Sequence, residues 1–118
     1  EAVTLPGGMP GTLNLERSAK VNAFVDYAYE NQKLVCAICA APSILGHKGM
    51  LKGKKAVCFP GFESELEGAE LSDSFVVTDG NIITAKGMGS AVKFGIAIGA
   101  AFVGEAKMKK IEESLQCS

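Results

Sequence analysis

Leu34 to Ile38 is apolar at every position, and this run is the clearest signal in the chain. A strand apolar on alternate residues covers one face; one apolar throughout is buried on both, as in a parallel sheet flanked by helices. Ala2 to Leu5 reads as a second short strand, ended by the turn signal Pro6-Gly7-Gly8. Between the two, a loop is expected through Asn14 and then a helix from about Glu16 to Asn31. Its Val21, Phe24, Val25 and Ala28 fall at i, i+3, i+4 and i+7, which gives one apolar face. Beyond the buried strand, Ala40 to about Lys48 predicts a helix, with Pro42 tolerated in its first turn and Gly49 as its stop.

Farther on, Lys55 to Phe59 reads as a strand closed by Pro60-Gly61. Phe62 to Leu71 carries Glu63, Glu65, Glu67 and Glu70 and reads as a short helix and loop with a solvated acidic face. Phe75 to Thr78 and Ile82 to Ala85 flank Asp79-Gly80-Asn81, a hairpin signal. Gly87-Met88-Gly89-Ser90 predicts a tight turn with Ser90 as N-cap of an apolar helix from Ala91 to Val103. The small residues of that helix, Gly95, Ala97, Gly99, Ala100 and Ala101, suit close packing. A last, charged helix is expected from Glu105 to about Leu115. Strands alternating with helices through short connections predict an α/β three-layer sandwich with a mostly parallel sheet, as one domain across residues 1–118.

The chain has 118 residues, enough to bury one core, and 47% of them are hydrophobic. Its net charge is −1, from 12 basic and 13 acidic side chains, and no basic stripe exists to neutralise phosphates. Nucleic acid is therefore not an expected partner. The best apolar stretch, Phe94 to Val103, is too short to span a bilayer, so no membrane is expected either. Four cysteines, at positions 36, 39, 58 and 117, lack disulfide-scaffold spacing. With no signal peptide in view, they favour a reducing, cytoplasmic setting. The chain opens in a strand-like pattern without an initiator Met, as the middle of a domain would.

In open α/β sheets, sites lie beyond the carboxyl ends of the strands. Pro6-Gly7-Gly8 and Cys39-Ala40 both fall there. One cysteine pair and a single His fall short of a four-ligand zinc set, so no metal is expected. Nor do Cys36 and Cys39 suit a disulfide. Three residues of strand put about 10 Å between their Cα atoms and point them to opposite faces, whereas disulfides need less than about 7 Å. Cys36 reads as core. Cys39 lies where strand gives way to helix, the position of nucleophile elbows, where unpaired N–H groups and the helix dipole favour a thiolate. The small neighbours Ala37, Ala40 and Ala41 leave room for a substrate. On position alone, a reactive thiol and a buried structural cysteine stay equally open.

The ordered segments "TLPGG", "AICAAPSIL", "FPGFE" and "VVTDGNIITAKGMGSAVKFGIAI", followed by a charged helix, resemble the ThiJ/PfpI family, the DJ-one superfamily. The similarity runs unbroken from Ala2 to about Leu115. It implies a flavodoxin-like sandwich of the class I glutamine amidotransferase kind, a homodimer, and a reactive elbow cysteine that works without a cofactor. By position, Cys39 would be the nucleophile. Gly8 and Ala40 would offer backbone N–H groups to an oxyanion, and Gly7 would shape the same loop. Amide donors beside a nucleophile and a Gly-Gly turn that permits close approach agree with that assignment. Gly87 and Met88 would line the pocket rim, where the family often has Gly-Pro.

Three departures matter. Protease members carry a His directly after the nucleophile, where this chain has Ala40. Its only His, His47, lies about 12 Å along a helix and reads as a helix-end residue, so a Cys-His protease is not expected. Some relatives place a His in the segment that here reads Val57-Cys58-Phe59-Pro60, with Phe59 in its place. Family domains also begin with a βαβ region whose Glu sits beside the cysteine, and a protonated carboxyl there would hydrogen-bond the thiolate. The resemblance thus implies a C-terminal part of the domain, completed by an upstream segment in the same chain or a separate one. The activity it implies is on small reactive carbonyls, as a glyoxalase (methylglyoxal to lactate) or deglycase. The alternative is a redox-sensing or chaperone-like protein working through oxidation of Cys39.

Overall fold

Val35, Cys36 and Ala37 have no exposed surface, as an apolar run covered on both faces requires. They lie in the middle of a sheet in a computed structural model that describes residues 2–8 and 11–103. In chain order the elements are β1 (Ala2–Leu5), α1 (Gly11–Arg17), α2 (Ala19–Glu30), β2 (Leu34–Ile38) and α3 (Pro42–His47). Then come β3 (Lys55–Ala56), a 3-10 turn (Glu63–Glu65), β4 (Glu70–Leu71), β5 (Val76–Asp79), β6 (Ile82–Ala85), a second 3-10 turn (Met88–Ser90) and α4 (Ala91–Val103). The charged helix expected from Glu105 lies outside the described residues, as does Cys117.

The main sheet runs β1-β2-β6-β5. β2 pairs in parallel with β1 and β6, while β5 closes the edge antiparallel to β6. Alternation along β2 divides the core. Val35 and Ala37 pack with Val25 and Ala28 of α2 and Ile44 and Leu45 of α3. Cys36 points the other way, with Ile83, Ala85 and Phe94 of α4. Helices therefore cover both faces, giving the flavodoxin-like α/β sandwich expected from the sequence.

Several local expectations need correction. Residues 11–14, expected as loop, belong to α1, because Thr12 turns its N–H (2.8 Å) and hydroxyl (2.9 Å) onto the Gly8 carbonyl and is itself buried. Ser18 then breaks the chain direction and caps α2, its hydroxyl accepting the Val21 N–H at 3.3 Å. Phe24 does not join the apolar face of α2: it is 66% exposed, while Val25 and Ala28 are buried. The strand expected over Lys55 to Phe59 is two residues long. The Val57 N–H is diverted to the Thr84 hydroxyl (3.0 Å) and the Phe59 N–H to the Cys39 carbonyl (2.8 Å). β3 pairs instead with β4, a two-residue strand that its exposed positions did not announce. Ser90 does not cap forward into α4; its hydroxyl binds back to the carbonyl (2.7 Å) and N–H (3.1 Å) of Gly87. Gly95 is exposed with open space where a side chain would go, so it serves no close packing.

Candidate active site

Cys39 follows the last residue of β2 and has φ 65°, the left-handed region that a side-chain-bearing residue enters at a cost of about 1–2 kcal/mol. Two backbone bonds hold it there. Its N–H donates to the Ala85 carbonyl of β6 at 3.0 Å, and its carbonyl accepts the Phe59 N–H at 2.8 Å. Strand-end pairing on both sides thus over-determines a conformation the residue would not choose, as at strained functional turns. Because the peptide is planar and trans, the Ala40 N–H points opposite to the Cys39 carbonyl, away from Phe59. Among the described cysteines, Cys39 alone is partly exposed; Cys36 and Cys58 are buried.

Gly7 closes one side of this turn. A Cβ there would stand 2.6 Å from the Ile38 carbonyl oxygen, 3.0 Å from the Ala40 nitrogen and closer still to the Cys39 Cβ. The loop after β1 and the turn after β2 therefore touch through bare backbone. Gly8, the next residue, has φ 99°, and its carbonyl is engaged by Thr12. The Ala40 carbonyl is likewise engaged, by the N–H (3.1 Å) and hydroxyl (2.7 Å) of Ser43. The structure brings Gly7, Cys39 and Ala40 together, with Gly8 on the same loop.

The other two described thiols are chemically quieter. Burial pushes the Cys36 thiol up to about 11, against a smaller opposing hydrogen bond with Thr4. Burial likewise pushes Cys58 up to about 11, with the charges of Glu63 and Cys39 adding to the effect and the Phe62 N–H opposing it. Glu63 is fully exposed, bonds the Gly61 N–H at 2.8 Å, and is held below the usual carboxylate range mainly by these backbone bonds.

Beside the turn lies an open groove of about 320 Å³, lined by Phe59, Pro60, Phe75, Lys86, Gly87 and Ser90, among others. Cys39 does not line it. Phe59 lines the groove and binds the Cys39 carbonyl through its N–H, and a Cβ at Gly87 would come 3.2 Å from its ring. Met88 opens the 3-10 turn that follows Gly87. Lys86 and Lys93 reach over the Phe75 ring at 5.7 and 5.4 Å. Phe75 and Lys86 were not singled out from the sequence, because their approach to the groove depends on how β5 and β6 pair.

His47 stands at the far end of α3, bonded through Nδ1 to Glu16 of α1 and through Nε2 to Glu65 at 2.9 Å. It ties α1 to α3 and takes no part in the elbow. Among the described residues no cluster of His, Cys, Asp and Glu could hold a metal ion, and no described helix is long and apolar enough to cross a membrane.

A family profile described as the DJ-1/PfpI family matches residues 1–101. Drosophila melanogaster protein dj-1beta is 32% identical over 117 residues, 98% of this chain and 63% of that protein. The crystal structure of Drosophila DJ-1beta superposes with a TM-score of 0.91 at 31% identity, over 99% of this chain and 64% of that one. Toxoplasma gondii DJ-1 in an oxidized form gives 0.90 at 31% identity, over 98% of this chain and 63% of that one. A deglycase from Pyrococcus horikoshii is 33% identical over 89 residues, 73% of this chain and 52% of that protein. The chain spans less than two thirds of the length of each of these relatives. With that coverage, these similarities and the sandwich described above, the chain belongs to the DJ-1/PfpI family.

Proposed function

We propose that the intact protein uses Cys39 as a covalent nucleophile on small reactive carbonyls such as methylglyoxal, without a cofactor. The observation that carries this reading is the left-handed Cys39 at the β2–α3 junction, packed against Gly7 and partly open to solvent. A residue held off its preferred backbone by two strand-end bonds presents its side chain to the outside rather than to the core. A family member named as a deglycase also supports carbonyl chemistry.

The Cys39 thiolate forms a bond to the aldehyde carbon, and the C=O pair moves onto oxygen, where the N–H groups of Gly8 and Ala40 stabilise it. The protonated carboxyl of an upstream Glu gives its proton to that oxygen. As a carboxylate it then takes the proton from the attacked carbon and returns it to the neighbouring carbon, while the hydroxyl proton passes to the neighbouring oxygen, leaving a lactoyl thioester on Cys39. Water hydrolyses the thioester to lactate and releases the thiol. One carbon is oxidised as the other is reduced, so the sequence needs no external oxidant. Gly87 and Met88 form the rim of the approach, and homodimerisation in the cytoplasm belongs to the same proposal. The test is lactate formation from methylglyoxal by the full-length protein, followed by NMR. Cys39→Ser should fall to the uncatalysed background, and equal turnover by that variant would refute the proposal.

The second reading, redox sensing through the same thiol, is favoured by the partial exposure of Cys39 against two buried neighbours. Thiols of this kind are the first to be oxidised. Oxygen added selectively to Cys39 after mild peroxide, seen by intact-mass spectrometry, would support it; an unchanged mass would not.

A further inference from the structure

The bond from the Phe59 N–H to the Cys39 carbonyl (2.8 Å) lays the end of the β3 segment directly against the elbow. Cys58 immediately precedes Phe59. Bond lengths along that path cap the Cα separation of Cys39 and Cys58 at about 8 Å, and adjacent hydrogen-bonded chains usually hold such atoms about 5 Å apart. Disulfides span roughly 4.4–6.8 Å between Cα atoms. Cys36 has no comparable path: it lies across the sheet, packed with Phe94. We propose that Cys58 is the resolving thiol of Cys39, so that a peroxide which oxidises Cys39 leads to a Cys39–Cys58 disulfide rather than to irreversible over-oxidation.

The step balances. Peroxide transfers one oxygen to the Cys39 thiolate, giving a sulfenic acid and water or an alcohol. The Cys58 sulfur then attacks that sulfur; the S–S bond forms, the S–O bond breaks, and the thiol proton leaves with the hydroxyl as water. A cavity of about 180 Å³ lies beside Cys58, lined also by Glu63, Ser72, Asp73 and Lys86. Burial keeps Cys58 protonated and poorly reactive toward peroxide itself, its thiol held up at about 11. The charge of Cys39 is among the effects that raise the Cys58 thiol, which agrees with their proximity. The pair forms a two-thiol switch in which the exposed member is attacked and the buried member rescues it.

The inference rests on Cys39 being the reactive thiol, and the experiment separates the two failures. Full-length protein is treated with limiting hydrogen peroxide, and non-reduced peptides are mapped by mass spectrometry. The expected result is a Cys39–Cys58 cross-linked peptide, reversed by dithiothreitol. In Cys58→Ala, and in Cys58→Ser as a second variant, the cross-link is lost and sulfinic acid at Cys39 builds up several-fold faster. Sulfinic acid on Cys39 of the wild type without a cross-link would overturn the resolving role while leaving Cys39 reactive. Cross-linking of Cys39 to Cys36 or Cys117 would overturn it equally. An unmodified Cys39 would overturn both the role and the reading beneath it.

Discussion

Adding one methyl group at Gly7 should disable the elbow without touching the thiol. A Cβ there falls 2.6 Å from the Ile38 carbonyl oxygen and nearer still to the Cys39 Cβ. Carbon atoms pack at about 3.5–4.0 Å, so the two loops must part by about 1 Å. Neither neighbour can swing aside, because one is strand backbone and the other is pinned through Ala85 and Phe59. Overpacking of this kind costs about 1–3 kcal/mol. At about 2–8 °C per kcal/mol for domains of this order of size, that lowers Tm by several degrees. A misplacement of about 1 Å at a reacting group costs about 100-fold in rate. The control is Gly49→Ala in the turn after α3, where φ is 75° and no atom lies within 4 Å of a Cβ. Left-handed strain there should cost about 1–2 kcal/mol with no change in turnover per folded molecule. Differential scanning calorimetry and methylglyoxal turnover of both variants decide the matter. Full activity in Gly7→Ala, or equal loss in the two variants, would refute the packing argument.

Gly46→Ala should destabilise the protein by about 1–3 kcal/mol in thermal unfolding, because a Cβ there lies 2.9 Å from the Leu66 Cα and closer to the Glu65 carbonyl oxygen. An unchanged Tm would contradict that contact. His47 is held above its ordinary 6.5, first by its bond to Glu16 and then by Glu65, with burial opposing. A raised pKa adds stability that is full below the unfolded value and fades as pH rises through the folded one. The Tm deficit of His47→Gln should therefore be largest near pH 6 and vanish at alkaline pH, at the scale of about 0.2–1 kcal/mol set by exposed pairs. A deficit independent of pH would contradict it. Limiting iodoacetamide at neutral pH should label Cys39 before Cys36 or Cys58, whose buried thiols are pushed up to about 11. Peptide mapping that found either buried thiol labelled first would contradict the placement.

The parts of the fold that could be read from sequence were those dictated by local patterns. Leu34–Ile38 and Ala91–Val103 appear with the bounds expected, because burial on both faces and an unbroken helical apolar run leave little choice. The Asp79-Gly80-Asn81 turn likewise sets the β5–β6 hairpin. The misses were tertiary. α1 contains Gly11 and Asn14, poor helix formers, and depends on Thr12 finding the Gly8 carbonyl. β3 stops early because Thr84 and Cys39 draw away its donors. At the site, strand-to-helix spacing marked Cys39, but its left-handed backbone follows from Ala85 and Phe59, which lie 46 and 20 residues away in sequence. His47 was legible as a helix-end residue, yet its partners Glu16 and Glu65 lie 31 and 18 positions distant and on other elements. No periodicity encodes such a clamp.

The most direct measurement is peptide mapping of full-length protein acid-quenched during methylglyoxal turnover. Methylglyoxal also modifies exposed Lys and Arg, so the discriminating property is lability to hydroxylamine, which cleaves thioesters. The account predicts a hydroxylamine-labile three-carbon adduct on the Cys39 peptide, present during turnover and gone once substrate is exhausted. Lactate formed at the full rate with no such adduct on Cys39, or with the adduct on Cys36 or Cys58 instead, would contradict it.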